Sequence, residues 1–225
     1  MCRLLEKRLP VWSVMTPEQK QVIARHSVVE HYPKGTCIHG GEANCAGVVL
    51  LDDGMLRVYL LSEDGKEATL YRLRAGDVCI LSASCVLAPI NFDVHIDAEA
   101  DSEAVVICAH YFAQIAKENS MVECFAYKLA AERFSDAMHA VRGVLFYSVE
   151  RRLALFLLQE MPKEEGDTIH MTHEKLAKYL CSAREVVTRM LRQFAEEGVV
   201  EISRKGIKIL DKTKLQRLAQ SHAFL

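Results

Sequence analysis

HEKLAKYLCSAREVVTRMLRQFAEEGVV, residues His173–Val200, holds two amphipathic patterns separated by Leu180-Cys181-Ser182-Ala183. In the first, Leu176, Ala177 and Leu180 share one helical face. In the second, Val186, Val187, Met190, Leu191 and Phe194 do the same. Gly198 supplies a C-terminal stop. A short helix, a tight connection and a second helix form the pattern of a helix-turn-helix, in which the first helix props the second across the DNA major groove. Arg184, Glu185, Thr188 and Arg189 are left pointing outward at the start of the second helix. Arg pairs bidentately with guanine, Glu accepts from cytosine, and Thr can donate, accept or touch a thymine methyl.

Two details fit the motif less well. Cys181 sits in the turn, where glycine would relieve a left-handed backbone. Ala183 cannot cap, so Ser182 is expected as N-cap of the second helix. Ser182-Ala183-Arg184-Glu185 also reads as a capping box, which would give Glu185 a purely structural role, and Arg189 could be a solvated surface charge. Thr172 opens the motif. Downstream, VVEISRKGIKIL reads as two strands around Arg204-Lys205-Gly206, so Arg204 and Lys205 can sit on phosphates as a wing. Residues 212–219 are expected to form a last helix.

Upstream, Ser148 is a candidate cap for a helix that ends at Met161-Pro162, and Lys163–Thr168 is expected as loop. From Val28 to about Cys108 short β-rich runs alternate with glycine-centred turns at Lys34-Gly35, Asp53-Gly54, Asp64-Gly65 and Gly76-Asp77. This predicts a barrel or jelly roll of about eight strands. Thr16-Pro17-Glu18 starts a helix in the first 26 residues. Between Tyr111 and Arg142 no Pro or Gly intervenes, and Val122, Phe125, Leu129, Phe134, Met138 and Val141 recur near helical spacing. That segment either packs on the barrel or forms a coiled-coil-like dimer seam. Gly143 then reads as a hinge. The expected fold class is α+β: a β-roll sensor domain over 1–110, a long helix and hinge over 111–143, and a winged helix-turn-helix over 144–225.

The 225 residues, half of them apolar, suffice for one large or two small cores. Apolar runs such as Gly47–Leu51 are too short to span a bilayer, and MCRLLEKRLPVW lacks the apolar stretch of a signal peptide, so a cytoplasmic protein with no membrane partner is expected. The net charge of −2 is uneven: residues 1–143 carry 14 Lys+Arg against 19 Asp+Glu, and residues 144–225 carry 14 against 11. A basic C-terminal part on a more acidic partner suits a nucleic-acid module attached to something else.

The order of β-roll, long helix and winged helix-turn-helix, with MTHEKLA and SAREVVTR around Thr172–Arg189 and RRLALFLL at Arg151–Leu158, resembles the Crp/Fnr family of bacterial transcription regulators over essentially the whole chain. The most specific match is Arg184-Glu185-Val186-Val187-Thr188-Arg189. In that family the Glu and the Arg four residues later contact bases. Arg184 matches the extra base-reading Arg of the cyclic-AMP receptor branch, and Thr188 stands where the Fnr branch has a base-contacting Ser. The resemblance implies a homodimer paired through the long helix, bound to a pseudo-palindromic site, acting with RNA polymerase and answering a signal in the β-roll.

The β-roll departs from the cyclic-nucleotide binders of that family. They carry Gly-Glu-Leu soon after Gly-Asp, and later Arg followed by Ser or Thr. Here Ile80 and Leu81 stand for the Gly and Glu, with Ser82 next, and Phe92-Asp93 stand for the Arg-Ser. An aromatic ring and a carboxylate cannot neutralise a phosphate. Cyclic AMP is therefore not expected. Cys2 is alone at the N-terminus, so the iron–sulfur cluster of the Fnr branch is not supported either. The effector and any cofactor are left open. Among eight cysteines, Cys37, Cys79 and Cys85, with His95, are the candidate ligands for a metal, haem or redox signal; alternatively the cysteines are packing residues. Other classes are a ligand-binding or protein-interaction module that no longer binds DNA, and, least favoured, an enzyme, for which no phosphate loop or nucleophile–base motif is found.

Overall fold

The computed structural model describes residues 1–40, 47–80, 94–161 and 168–220. The chain divides into two compact units, Met1–Leu61 with Leu70–Met138, and Ser62–Thr69 with His139–Leu225.

The first unit starts with helices α1 (Cys2–Arg8) and α2 (Pro17–Arg25). Thr16 caps α2, as Thr16-Pro17 predicted, and also shares a reciprocal capping box with Gln19, a contribution of about 1 kcal/mol. Eight strands follow among the described residues: β1 (Ser27–Tyr32), β2 (Cys37–Gly40), β3 (Val48–Asp53), β4 (Met55–Leu61), β5 (Glu67–Arg74), β6 (Val78–Cys79), β7 (His95–Ala98) and β8 (Ser102–Ile107). They form two four-stranded sheets, ordered β1-β8-β3-β6 and β2-β7-β4-β5. The period-two alternation assigns each side chain of β3 to one of two cores. Val49 and Leu51 join Leu56, Val58, Leu73 and Ile96 in a cluster drawn from both sheets. Val48 and Leu50 face the other way, onto Leu5, Trp12, Ile23 and Phe112. A strand buried on both faces reads as the unbroken apolar run Val48–Leu51.

The expected single helix after the barrel is two: α3 (Ala109–Glu118) and α4 (Ser120–Phe146). Asn119, in extended conformation, breaks them. Its Oδ1 accepts from the Met121 amide at 3.1 Å, and its Nδ2 donates to the Val14 carbonyl and Gln19 Oε1. A side chain that takes over backbone hydrogen bonding ends one helix and begins the next. Nor does α4 stop at Gly143; it continues to Phe146.

The second unit packs α5 (Val149–Glu160), α6 (His173–Leu180), α7 (Arg184–Glu196) and α8 (Lys212–Gln220) around one core that includes Leu153, Leu157, Leu176, Leu191 and Phe194. Ser148 caps α5 through the Arg151 amide, and α8 lies where the last helix was expected. Strands β10 (Val200–Ser203) and β11 (Gly206–Ile209) form the predicted hairpin. A third strand, β9 (Thr168–Ile169), adds to β11 at the end of the segment read as loop. No described helix is long and apolar enough to cross a membrane.

Candidate nucleic-acid interface

Helix α6 is capped by Thr172, whose hydroxyl accepts from the Lys175 amide at 3.1 Å. Its inner face buries Leu176, Ala177 and Leu180. Cys181 ends it in the left-handed region, at φ 45° and ψ 52°, the strain foreseen for a non-glycine residue there. Two further contacts hold this turn. The Ser182 amide donates to the Ala177 carbonyl at 3.0 Å, and the Arg152 guanidinium, from α5, donates to the Leu180 carbonyl. Arg152 thus satisfies a carbonyl that the helix end leaves without an internal partner.

The N-cap of α7 is Ala183, with no side-chain cap, and not Ser182. The connection runs one residue further than the Ser-x-x-Glu pattern implies, so no capping box forms and Glu185 is exposed. Val187, Leu191 and Phe194 are buried and fix the roll of α7 about its axis. That roll leaves Arg184, Glu185 and Arg189 exposed and Thr188 half-buried on the opposite face. Arg192 lies exposed further along.

Thr188 Oγ1 lies 3.0 Å from Nδ1 of His173, the first residue of α6. Burial, then the positive charges of Arg184 and Arg192, hold the His173 pKa below its ordinary value. His173 had no place in the sequence pattern because the pairing joins two helices. Arg152 was missed for the same reason.

The hairpin tip carries Arg204 and Lys205, both exposed. Ser203 Oγ accepts from the Lys205 amide at 3.1 Å, and His170 Nδ1 donates to the Lys205 carbonyl at 2.5 Å. Gly206, at φ 139°, lies so close to the Ile169 carbonyl that a Cβ would collide with it. Only glycine lets β9 approach the tip this closely. The result is a braced loop with two cations at its end, suited to a phosphate backbone.

The residues expected to form the dimer seam divide into two sets. Val122 (0% exposed) and Leu129 (6%) belong to the core of the first unit, and Phe125 packs against it. Val122 and Leu129 are taken up by their own domain, which corrects their assignment to a seam, and Phe125 stays half-buried beside them. Phe134 (64% exposed), Met138 and Val141 are open. With Tyr127, Ala131 and Leu145 (67% exposed) they form a stripe at alternating spacings of four and three. That is the heptad spacing of a coiled-coil seam.

The candidate effector residues Leu81, Ser82, Phe92 and Asp93, and Cys85, lie outside the described residues. Cys79 is fully buried in the cluster between the sheets. Cys37 is exposed on β2, and partial burial and then Asp97 push its thiol pKa up. A raised pKa disfavours the thiolate, the form that binds metal or attacks a disulfide. His95 stacks on Tyr59 at 5.3 Å. Among the described residues no group of three or more His, Cys, Asp or Glu side chains is placed to hold a metal ion, so Cys37, Cys79 and His95 do not form a ligand set.

Two stretches of the chain match known domain families. Residues 29–119 match the cyclic nucleotide-binding domain family, and residues 151–218 match the Crp-like helix-turn-helix domain family. The cyclic AMP receptor protein of Thermus thermophilus is 23% identical over 214 residues, 95% of this chain and 98% of that protein. The transcriptional regulator SdrP of the same organism is 27% identical over 182 residues, 75% of this chain and 82% of its own. A crystal structure from Eubacterium rectale, described as a transcriptional regulator of the Crp/Fnr family, is 41% identical, with a TM-score of 0.91, and the match covers 96% of this chain and all of that one. With the helix-turn-helix in place, both domains matched in order and a relative this similar over nearly its whole length, the chain belongs to the Crp/Fnr family of DNA-binding transcriptional regulators.

Proposed function

We propose that the protein binds a pseudo-palindromic DNA site as a homodimer and reads it with Arg184, Glu185, Thr188 and Arg189. Thr172, Ser182, Arg204 and Lys205 flank those readers and serve the phosphates. The observation that carries this reading is the roll of α7: its apolar face is locked in the core, so its polar face can only meet solvent or a ligand. Two such helices in a two-fold dimer fall one DNA turn, ~34 Å, apart. The exposed heptad stripe of α4 supplies the self-association surface. RNA polymerase is the expected further partner of a regulator of this kind.

The signal enters through the β-roll, and it is not cyclic AMP. Ile80 and Leu81 replace the residues that would hold the ribose, and Phe92-Asp93 replace those that would pair with the phosphate. A ligand changes the DNA-competent population only through different affinity for two states. Saturating cyclic AMP should therefore leave DNA affinity unchanged.

The test is fluorescence anisotropy on a site obtained by selection from random sequence, across a salt series with and without cyclic AMP. Affinity should fall steeply as salt rises. A module that has lost DNA binding would show neither a selected sequence nor that salt slope. A clear gain in affinity on adding cyclic AMP would overturn the assignment of the signal.

A further inference from the structure

Thr188 is a base reader whose side chain has two ways to sit. In a helix a threonine hydroxyl can turn back to the carbonyl one turn earlier, and the side chain divides between two rotamers for that reason. For Thr188 that carbonyl belongs to Arg184. Here the hydroxyl lies instead 3.0 Å from His173 Nδ1. His173 is fixed in turn at the start of α6, directly after the Thr172 cap, and is half-buried beside α7. The choice between the rotamers decides whether hydroxyl or methyl faces the DNA. Those two groups prefer different bases: the hydroxyl exchanges hydrogen bonds with base edges, and the methyl packs on thymine.

We propose that His173 is a positioning residue that sets base preference at the one position read by Thr188, without itself reading a base. The inference rests on the DNA-binding reading above and adds a specificity determinant from the supporting helix. A histidine at a helix start facing DNA has a simpler alternative role, a phosphate contact. The two roles differ in what they change. Loss of a phosphate contact weakens binding about equally at all sequences and makes the salt slope shallower. Loss of a positioning bond flattens preference at one base pair and leaves the salt slope intact.

The experiment measures His173→Ala, His173→Asn and His173→Gln beside the full-length wild type. Each is tested by competition anisotropy against the selected site and its single-base-pair variants at three salt concentrations. His173→Ala and His173→Gln should lose roughly three- to tenfold of discrimination at a single base pair per half-site, the worth of one net hydrogen bond. His173→Asn, which places an amide atom near the Nδ1 position, should restore most of it and also controls for folding. In a Thr188→Val background, His173→Ala should have no further effect on that base pair. A uniform loss of affinity with a shallower salt slope would overturn the proposal, and so would unchanged preference in His173→Ala. A wild-type protein with no preference at any position would overturn the DNA-binding reading together with this one.

Discussion

Helices α4 and α7 are both amphipathic, and they expose opposite halves of themselves. In α7 the apolar side chains Val187, Leu191 and Phe194 are consumed by its own domain, and the cations remain outside. In α4 the early turns do the same with Val122 and Leu129, but the later turns leave Phe134, Met138, Val141 and Leu145 in the open. An exposed cationic face and an exposed apolar stripe call for chemically different partners, a polyanion in one case and a matching apolar surface in the other. The meaning of an amphipathic helix thus depends on which face its own fold has already used.

Five substitutions test that contrast, from the largest expected effect downward. Phe194→Ala empties the centre of the second core and should destabilise that unit by ~3–5 kcal/mol in urea unfolding. Phe134→Glu should weaken self-association by about 2–4 kcal/mol, seen as a shift from dimer to monomer in sedimentation velocity. Its counterpart in the same helix, Leu129→Ala, should lower unfolding stability by ~2–5 kcal/mol with little change in association state. If both behaved alike, the division of α4 into an inward and an outward half would be wrong. Arg189→Ala should cost ~1–3 kcal/mol at one base position and relax preference there. Lys205→Ala should weaken all sites about equally, by less than ~1 kcal/mol, and reduce the salt slope by about 1.

Where periodicity spoke directly, the sequence was a sufficient guide. The alternating runs ended by Asp-Gly turns became strands, and the two short apolar patterns became α6 and α7 at the expected places. It failed where a single side chain overrode the pattern. Asn119 breaks a run with no Pro or Gly, because it bonds to Val14 and Gln19 across the fold. Ser182 has the better capping chemistry, yet the left-handed Cys181 sends the chain one residue further and Ala183 takes the cap position. Strands β2 and β9 are short, and β9 exists only because Gly206 admits it to the wing. In the helix after the barrel, spacing marks an apolar face without saying whose core it enters, so Val122 and Leu129 went to their own domain. Of the site, the outward residues were legible, whereas His173, His170 and Arg152 act through contacts between elements that no linear pattern contains.

The turn at Cys181 has a consequence for modularity. A left-handed residue with a Cβ costs roughly 1–2 kcal/mol, and here the compensation comes partly from outside the motif, through Arg152 of α5. The apolar faces of both helices also close on Leu153, Leu157 and Ile207, which the motif does not contain. Cut out as a peptide of residues 172–200, the two helices would lose the side chain that holds their corner and the floor they rest on. The smallest portable reading head is therefore the segment that starts at the Ser148 cap and keeps the wing, and a graft of the recognition motif alone would carry the letters of the contact surface without its shape.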